Sequence, residues 1–216
     1  MCHMNDKTTD GKLQVTAAIS LLKNSKLVRW KKKSAEFVSI DKGRFEKSWQ
    51  RIDPVFGRLI CWINFSAGAE FLAKGVCLLR GIELLSGKGK KTKMVPEIPS
   101  GDFSTWAEHY PLSAPGQVKL TDFGTLGDLQ NGPLKELCNA AKASEQDQQW
   151  VLAAYDLLGK SIRNRDAHAY VPNVRDSHFH LVDGIFTPCL NLLMSWIPYD
   201  KSVINDWMDQ APNFID

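Results

Sequence analysis

One stretch decides the fold; it reads DPVFGRLICWINFSAGAEFLAKGVCLLRGI and spans residues 53–82. It opens with an aspartate that can cap a helix and a proline suited to the first helical position. Apolar residues then recur with the period of a helix that has a broad buried face. Four glycines interrupt it: Gly57, Gly68, Gly75 and Gly81. Each lowers helix propensity by up to about 1 kcal/mol, so packing must hold this helix, and such glycines often mark a close helix–helix approach.

The other periodic segments are helical as well. A capping-box-like start at Ser144 predicts a second strong helix, whose apolar stripe comprises Trp150, Val151, Ala154, Leu157, Leu158 and Ile162. A last helix is predicted from about His178 to Trp196, with a bend at Pro188. Weaker helical patterns cover residues 13–22, 43–52, 102–109, 122–130 and 133–142. Because no segment alternates as a strand does, we predict an all-α, up-and-down helical bundle.

Composition indicates a globular protein of one core. The chain has 216 residues, of which 44% are apolar, and its net charge of +3 permits an anionic partner without requiring one. Five separated cysteines with no C-x-x-C pair indicate free, buried thiols in a reducing compartment. The polar N-terminus has no signal-peptide pattern, and no uncharged run approaches the roughly 20 residues of a membrane span. We therefore expect a cytoplasmic protein that does not enter a membrane.

The predicted bundle covers residues 44–200, and residues 86–143, rich in proline and glycine, form an irregular insertion with short helices. Residues 1–43 are predicted to be a partly helical, basic N-terminal extension, and residues 201–216 a C-terminal tail. A basic patch within the extension surrounds Trp30 and includes Lys31, Lys32 and Lys33. It has two interpretations: a nucleic-acid contact on which Trp30 stacks bases, or a solvated charged face.

The candidate chemistry lies in SIRNRDAHAY, residues 161–170. Arg163 offers fixed donors to phosphate oxygens, and His168 can transfer protons near neutral pH. Asn164 can bond to the ribose or phosphate, or orient the histidine. These groups match the needs of RNA cleavage by the neighbouring 2′-hydroxyl, without a metal. One histidine and one arginine are few for this reaction, so we expect two copies to face each other in a homodimer.

The context of this motif resembles the HEPN family. Residues 162–168 match its R-N-x-x-x-H signature, and residues 67–79, with Glu70 and Lys74, are similar to its long core helix. The resemblance implies a dimeric helical bundle and a metal-independent endoribonuclease with no cofactor, acting as a toxin or antiphage defence effector. Arg163 and His168 would be catalytic and Asn164 would assist.

Tyr170 extends the match to R-x-x-x-x-H-x-Y. This pattern resembles HEPN toxins paired with a nucleotidyltransferase antitoxin, which modifies the tyrosine with AMP and so blocks the site. A tyrosine that only packs within the bundle is the other interpretation of this residue.

Several alternatives remain open at the level of sequence. Arg175 and His180 repeat the spacing of arginine and histidine, so they form an alternative site. Metal binding by His178 and His180 is improbable, because no further ligand cluster lies nearby in the sequence. Some members of the family have lost catalysis, so an inactive nucleotide- or protein-binding module is the main alternative function. A purely structural dimerisation domain is the third.

Overall fold

The structure is a computed structural model that describes residues 3–49, 54–82, 84–86, 119–120, 132–159 and 176–210. Helices hold 74% of the described residues, so the fold is mostly helical, as predicted. The helices are α1 (His3–Asn24), α2 (Lys42–Trp49), α3 (Pro54–Leu79), α4 (Pro133–Ala140), α5 (Glu145–Leu157), α6 (Asp176–Leu181), α7 (Thr187–Ser195) and α8 (Lys201–Gln210). A π-helical turn, Val182–Phe186, joins α6 to α7. The strands are β1 (Val28–Lys31), β2 (Glu36–Ser39), β3 (Leu85–Ser86) and β4 (Lys119–Leu120).

Helices α1 and α3 form the centre of the core and run antiparallel to each other. Gly68 lies against Leu22, near the end of α1, whereas Gly75 lies against Val15, two turns earlier. A Cβ atom on Gly75 would stand 2.9 Å from the backbone nitrogen of Val15, which is closer than packed atoms approach. The prediction that glycines of this helix mark a close helix–helix approach is therefore confirmed at these two positions.

Gly81 has a different role, at the end of α3. Its φ angle is +77°, a conformation that glycine adopts without a Cβ penalty. The N–H of Gly81 bonds to the carbonyl of Leu78 at 2.9 Å, and that of Ile82 bonds to the carbonyl of Cys77 at 2.9 Å. This pair of bonds is a Schellman motif, which satisfies carbonyls that the helix end would leave open.

A β-hairpin follows α1 in this mostly helical fold, although no segment of the sequence alternates as a strand does. Strands β1 and β2 pair antiparallel, with Trp30 opposite Phe37, and these two rings pack edge to face at 5.0 Å. Phe37 is buried, and its backbone N–H and carbonyl both bond to the side-chain amide of Asn191 on α7, at 2.7 and 2.9 Å. Strands of four residues are too short for alternation to be evident in the sequence. Asn191, which binds β2, is distant in the chain.

Strand β3 lies at the start of the segment predicted as an insertion, residues 86–143, and β4 lies within that segment. Leu85 pairs with Leu120, and Ser86 pairs with Lys119. The chain thus leaves and returns at neighbouring positions, although residues 87–118, like the predicted helices at 102–109 and 122–130, lie outside the described residues. The predicted helix at 133–142 is confirmed as α4.

The region predicted as one helix bent at Pro188 consists of α6, the π-helical turn and α7. Pro188 has no N–H and so cannot bond to the carbonyl four residues earlier. Just before it, the N–H of Thr187 bonds to the carbonyl of Val182, five residues back, which widens the helix by one residue. The irregularity that accompanies Pro188 is therefore a π-helical turn on its N-terminal side.

The core crosses both predicted domain boundaries. Val15, Ile19 and Leu22 of the N-terminal segment are fully buried, and Ile204 and Trp207 of α8 are also buried. All belong to one apolar cluster with α3 and α7. Residues 3–43 and 201–210 thus contribute to the same core as the rest, and the proposed boundaries after residues 43 and 200 stay predictions. Among the described helices, none combines the length and apolar character that crossing a membrane requires.

We expect Gly75→Ala to lower the free energy of unfolding by roughly 1–3 kcal/mol, because the added methyl group overpacks the contact with α1. This loss exceeds the gain in helix propensity of up to about 1 kcal/mol. Gly184→Ala is the control, since nothing lies within 4 Å of a Cβ atom at that position. Urea unfolding followed by circular dichroism measures both, and equal stability of the two variants would contradict the close approach.

Candidate functional site

Most of the predicted site residues lie outside the described part of the chain. Arg163, Asn164, His168 and Tyr170 fall in residues 160–175, as does Arg175 of the alternative site. Of the predicted site residues, the structure therefore describes His180. What it shows of the candidate site is the helix that leads into the motif, the core helix beside it, and the surroundings of His180.

Helix α5, which precedes the motif, begins as predicted. Ser144 is its N-cap, and the hydroxyl oxygen of this residue accepts a bond from the N–H of Asp147 at 3.1 Å. The Ser144 hydroxyl also donates to a carboxylate oxygen of Asp147 at 2.8 Å. A side-chain cap of this kind stabilises a helix by roughly 1 kcal/mol.

The face that α5 buries differs from the predicted stripe. Val151, Ala154 and Leu158 are buried as predicted, but Trp150 is 38% exposed, so its prediction is wrong. Tyr155, which the prediction omitted, is buried, and its hydroxyl donates to the carbonyl of Ala69 at 2.8 Å. This bond, which joins α5 to the middle of α3, uses the polar end of a residue that is otherwise apolar.

Next to this junction α3 carries the Glu70–Lys74 pair. Lys74 donates to Glu70 across one helical turn at 2.5 Å, and the Glu70 side chain is 8% exposed. Burial, together with nearby groups that include Glu70, raises the pKa of Tyr155 well above its usual value, so its hydroxyl remains a hydrogen-bond donor. The buried carboxylate of Glu70 thus has its partners inside the bundle, where it pairs with Lys74 and lies near Tyr155.

His180 lies exposed at a surface cleft of about 440 Å³. The cleft is lined by the end of β2, the start of α2, α6 and the π-helical turn. The lining residues are Ser39, Ile40, Asp41, Lys42, Phe179, His180 and Asp183.

The polar groups of the cleft are partly fixed by the fold. Asp41 accepts a bond from the backbone N–H of Arg44 at 3.0 Å, at the start of α2. The hydroxyl of Ser39 donates to Asp183 on the π-helical turn. Lys42 lies 3.9 Å from Glu46, and the two side chains are 48% and 47% exposed. Histidine, lysine and acceptor groups thus surround one opening.

An apolar wall completes the cleft. Phe179 packs edge to face against Phe45 of α2, with ring centroids 5.0 Å apart. A ring with cations nearby can bind the base and the phosphate of a nucleotide. Of the polar residues in the cleft, His180 was predicted from the sequence. Four others were not, because they come from separate segments that no short motif joins: Ser39, Asp41, Lys42 and Asp183.

The described cysteines are free and buried, as predicted: Cys61, Cys77, Cys138 and Cys189. Cys2 lies outside the described residues. Burial raises the pKa of Cys77 and of Cys189 to about 12, and that of Cys138 to about 11. These thiols remain protonated at neutral pH and so are poor nucleophiles. No group of three His, Cys, Asp or Glu side chains in the described ranges could hold a metal ion.

Comparison with family models, with curated proteins and with solved structures finds no match for this chain. The functional interpretation therefore depends on its residues and their arrangement.

The buried thiols predict a fall in stability above pH 9. An unfolded thiol loses its proton near 9.0, whereas folded Cys189 keeps its proton to about 12, so rising pH favours the unfolded state. Each such thiol lowers the free energy of unfolding by about 1.4 kcal/mol per pH unit well above pH 9. Urea unfolding from pH 8 to 10.5 should show a shallower pH dependence for Cys189→Ala than for the unmodified protein. Equal slopes would contradict this account of Cys189.

Proposed function

We propose that this protein is a metal-independent endoribonuclease of HEPN type, which acts as a toxin or antiphage defence effector in the cytoplasm. Two copies, each an up-and-down helical bundle, form a composite site that cleaves RNA. The observation that carries the proposal is the Arg163-Asn164-x-x-x-His168 motif, directly after the Ser144-capped helix.

The proposed reaction is an attack of the ribose 2′-hydroxyl on the adjacent phosphorus. The 2′ O–H bond and the bond from phosphorus to the 5′-oxygen break, and a 2′,3′-cyclic phosphate forms. One His168 accepts the 2′-hydroxyl proton, and the His168 of the second copy donates a proton to the leaving 5′-oxygen. Arg163 holds the charge of the phosphate, and Asn164 orients the substrate. A single histidine has one proton to exchange, which is why the site needs two chains.

The described structure supports this proposal through the elements on either side of the motif. Helix α5 is capped at Ser144 and tied to α3 through the bond from Tyr155 to Ala69. After the motif, the π-helical turn and α7 contribute Phe186 and Leu190 to the core. The motif thus lies, in the sequence, between two segments that have buried anchors in the core.

Tyr170 suggests how such an activity is controlled. Adenylylation of its hydroxyl by a nucleotidyltransferase partner would add an anionic group two residues from His168. The phosphate of the AMP would pair with Arg163, which normally holds the phosphate of the substrate. We therefore propose a nucleotidyltransferase antitoxin as a partner.

The second candidate function is a catalytically inactive module that binds nucleotides or a partner protein. The cleft at His180 favours it, because Phe179 and Lys42 there offer an apolar ring and a cation without a second chain. In this case Arg163 and His168 would have structural roles.

For the nuclease, we expect Arg163→Ala and His168→Ala each to reduce RNA cleavage by about 100-fold or more, since general acid–base catalysis typically contributes 10²–10⁴-fold. Cleavage of labelled RNA in the presence of EDTA measures the activity, and circular dichroism checks folding. Arg165→Ala is the matched control within the motif and should cleave normally. Full activity of both site variants would rule out this site, and loss of activity in His180→Ala alone would assign catalysis to the alternative site.

The composite site predicts that inactive chains suppress the activity of unmodified chains. A mixed dimer of an unmodified chain and a His168→Ala chain contains one His168, so it lacks either the base or the acid. We expect an excess of the His168→Ala chain, under conditions that exchange subunits, to reduce cleavage as unmodified homodimers become rare. Unchanged cleavage, despite exchange seen by native mass spectrometry, would contradict a site shared between chains.

The binding-module candidate predicts nucleotide binding without cleavage. Calorimetric titration with AMP would then show binding that His180→Ala and Lys42→Gln each weaken several-fold, as expected for loss of a charged hydrogen bond. Lys135→Gln, an exposed lysine on α4, is the charge-matched control. Intact RNA together with this pattern would support the module, and the absence of AMP binding would reject the cleft as its site.

A further inference from the structure

The β1–β2 hairpin concentrates positive charge on one exposed segment. Arg29, Lys31, Lys32 and Lys33 occupy four of the five positions from 29 to 33, and all four side chains are exposed. The remaining position, Trp30, is where sequence analysis placed a stacking platform for bases.

Strand geometry separates Trp30 from the cations. Successive side chains of a strand point to opposite faces, so Val28 and Trp30 share one face and Arg29 and Lys31 share the other. Val28 is 1% exposed, and Trp30 packs against the buried ring of Phe37. The tryptophan therefore belongs to the inner face of the hairpin, and its predicted stacking role is replaced by a structural one. The cations occupy the outer face.

The hairpin is attached to the rest of the fold at its turn and on strand β2. The Asn191 amide bonds to both backbone groups of Phe37 on β2, as described above. At the turn, the side-chain amide of Asn205 donates to the carbonyl of Lys32 at 2.8 Å, and the Lys32 ammonium bonds to both carboxylate oxygens of Asp209 at 2.7 and 2.9 Å. The outer face is thus a preorganised surface, so binding to it costs little ordering of the backbone.

Lys32 is neutralised locally by Asp209, but its neighbours are not. In the described part of the chain, no carboxylate lies within 4 Å of the charged groups of Arg29, Lys31 or Lys33. Glu36, which stands opposite Lys31 on β2, is instead paired with Lys201 at 3.7 Å. Among the described residues, Arg29, Lys31 and Lys33 are thus three cations on the hairpin without a carboxylate partner. A protein surface of this kind favours an anionic ligand whose charges are repeated along its length.

The chemistry of the hairpin favours a nucleic-acid backbone over a lipid surface. Peripheral membrane contacts combine basic residues with apolar side chains that enter the lipid. None of the large exposed apolar side chains among the described residues lies on the hairpin, since Trp30 and Phe37 face inward. Contacts made by arginine and lysine alone hold phosphates and do not read base sequence.

We propose that the outer face of β1, which carries Arg29 and Lys31, binds the phosphate backbone of the RNA together with Lys33 of the adjoining turn. This role rests on the proposed nuclease function, which makes RNA the substrate. The hairpin positions the RNA strand without selecting its sequence.

Binding of a fluorescently labelled single-stranded RNA by the full chain tests the proposal. His168→Ala provides a background in which the RNA stays intact. In this background, Arg29→Gln with Lys31→Gln should raise the Kd about tenfold or more near 0.15 M salt. It should also lower the salt slope, the change of log K with log salt concentration, by about 1.4, because each phosphate contact on a single strand contributes about 0.7.

Lys135→Gln with Lys142→Gln is the control. Like the hairpin pair, it removes two positive charges, here from exposed positions at α4 and the turn that follows it. The control should bind RNA like the parent. Equal weakening by both pairs would show a general charge effect and overturn the proposal, as would unchanged binding by the hairpin pair. Vesicles containing phosphatidylserine distinguish the other anionic surface: loss of vesicle binding with RNA binding retained would assign the hairpin to membranes and overturn the RNA role.

The two proposals fail in different ways. If the unmodified protein never cleaves RNA, the nuclease proposal fails, whereas the binding measurement still decides the role of the hairpin. If His168→Ala abolishes cleavage but the hairpin pair binds RNA normally, the hairpin proposal alone fails.

Discussion

The close contact between α1 and α3 is the constraint on which the rest of the structure depends. Gly68 and Gly75 let the two backbones approach to a distance that any Cβ atom would prevent. Helix α3 packs against α1 and also against α7 and α4, which suits a helix that is apolar on most of its surface. In this setting Glu70 has no access to bulk water, and Lys74, one turn later on the same helix, supplies its countercharge. The tight helix pair thus explains both the glycines and the buried ion pair.

From this central pair the fold supports both regions of functional interest. Helix α1 leads into the β1–β2 hairpin, which Asn191 fastens to α7. On the other side, Tyr155 fastens α5 to α3 shortly before the candidate motif. Each attachment uses a polar side chain within a mostly apolar interface, and Asn191 bonds to both backbone groups of the buried Phe37. Specific hydrogen bonds therefore fix the orientation of elements that apolar contacts alone would hold loosely.

Local signals predicted a large part of this fold. Pro54, Ser144 and the glycines of α3 act within one or two helical turns, so α3 and the start of α5 could be predicted. The hairpin could not, because its four-residue strands carry little periodicity and Asn191 lies 154 residues from Phe37. The cleft at His180 was missed for a similar reason, since its residues meet only after folding. For the candidate site itself, the sequence predicted the residue types and their spacing. The proposed arrangement across two chains depends on an interface, which no local pattern encodes.

Strand β2 connects the two described surfaces that have functional chemistry. Arg29 stands opposite Val38 on this strand, and residues 39–42, which begin at its end, line the cleft at His180. Because a strand of four residues spans only about 13 Å, a phosphate backbone held on the hairpin would also lie close to the cleft. A nuclease and a nucleotide-binding module would therefore make similar use of the hairpin and differ mainly in residues 163–168. In the proposed mechanism, residues 163–168 need a second chain to supply both an acid and a base, whereas the cleft at His180 is formed within one chain. We therefore expect dimer formation to matter for cleavage far more than for binding.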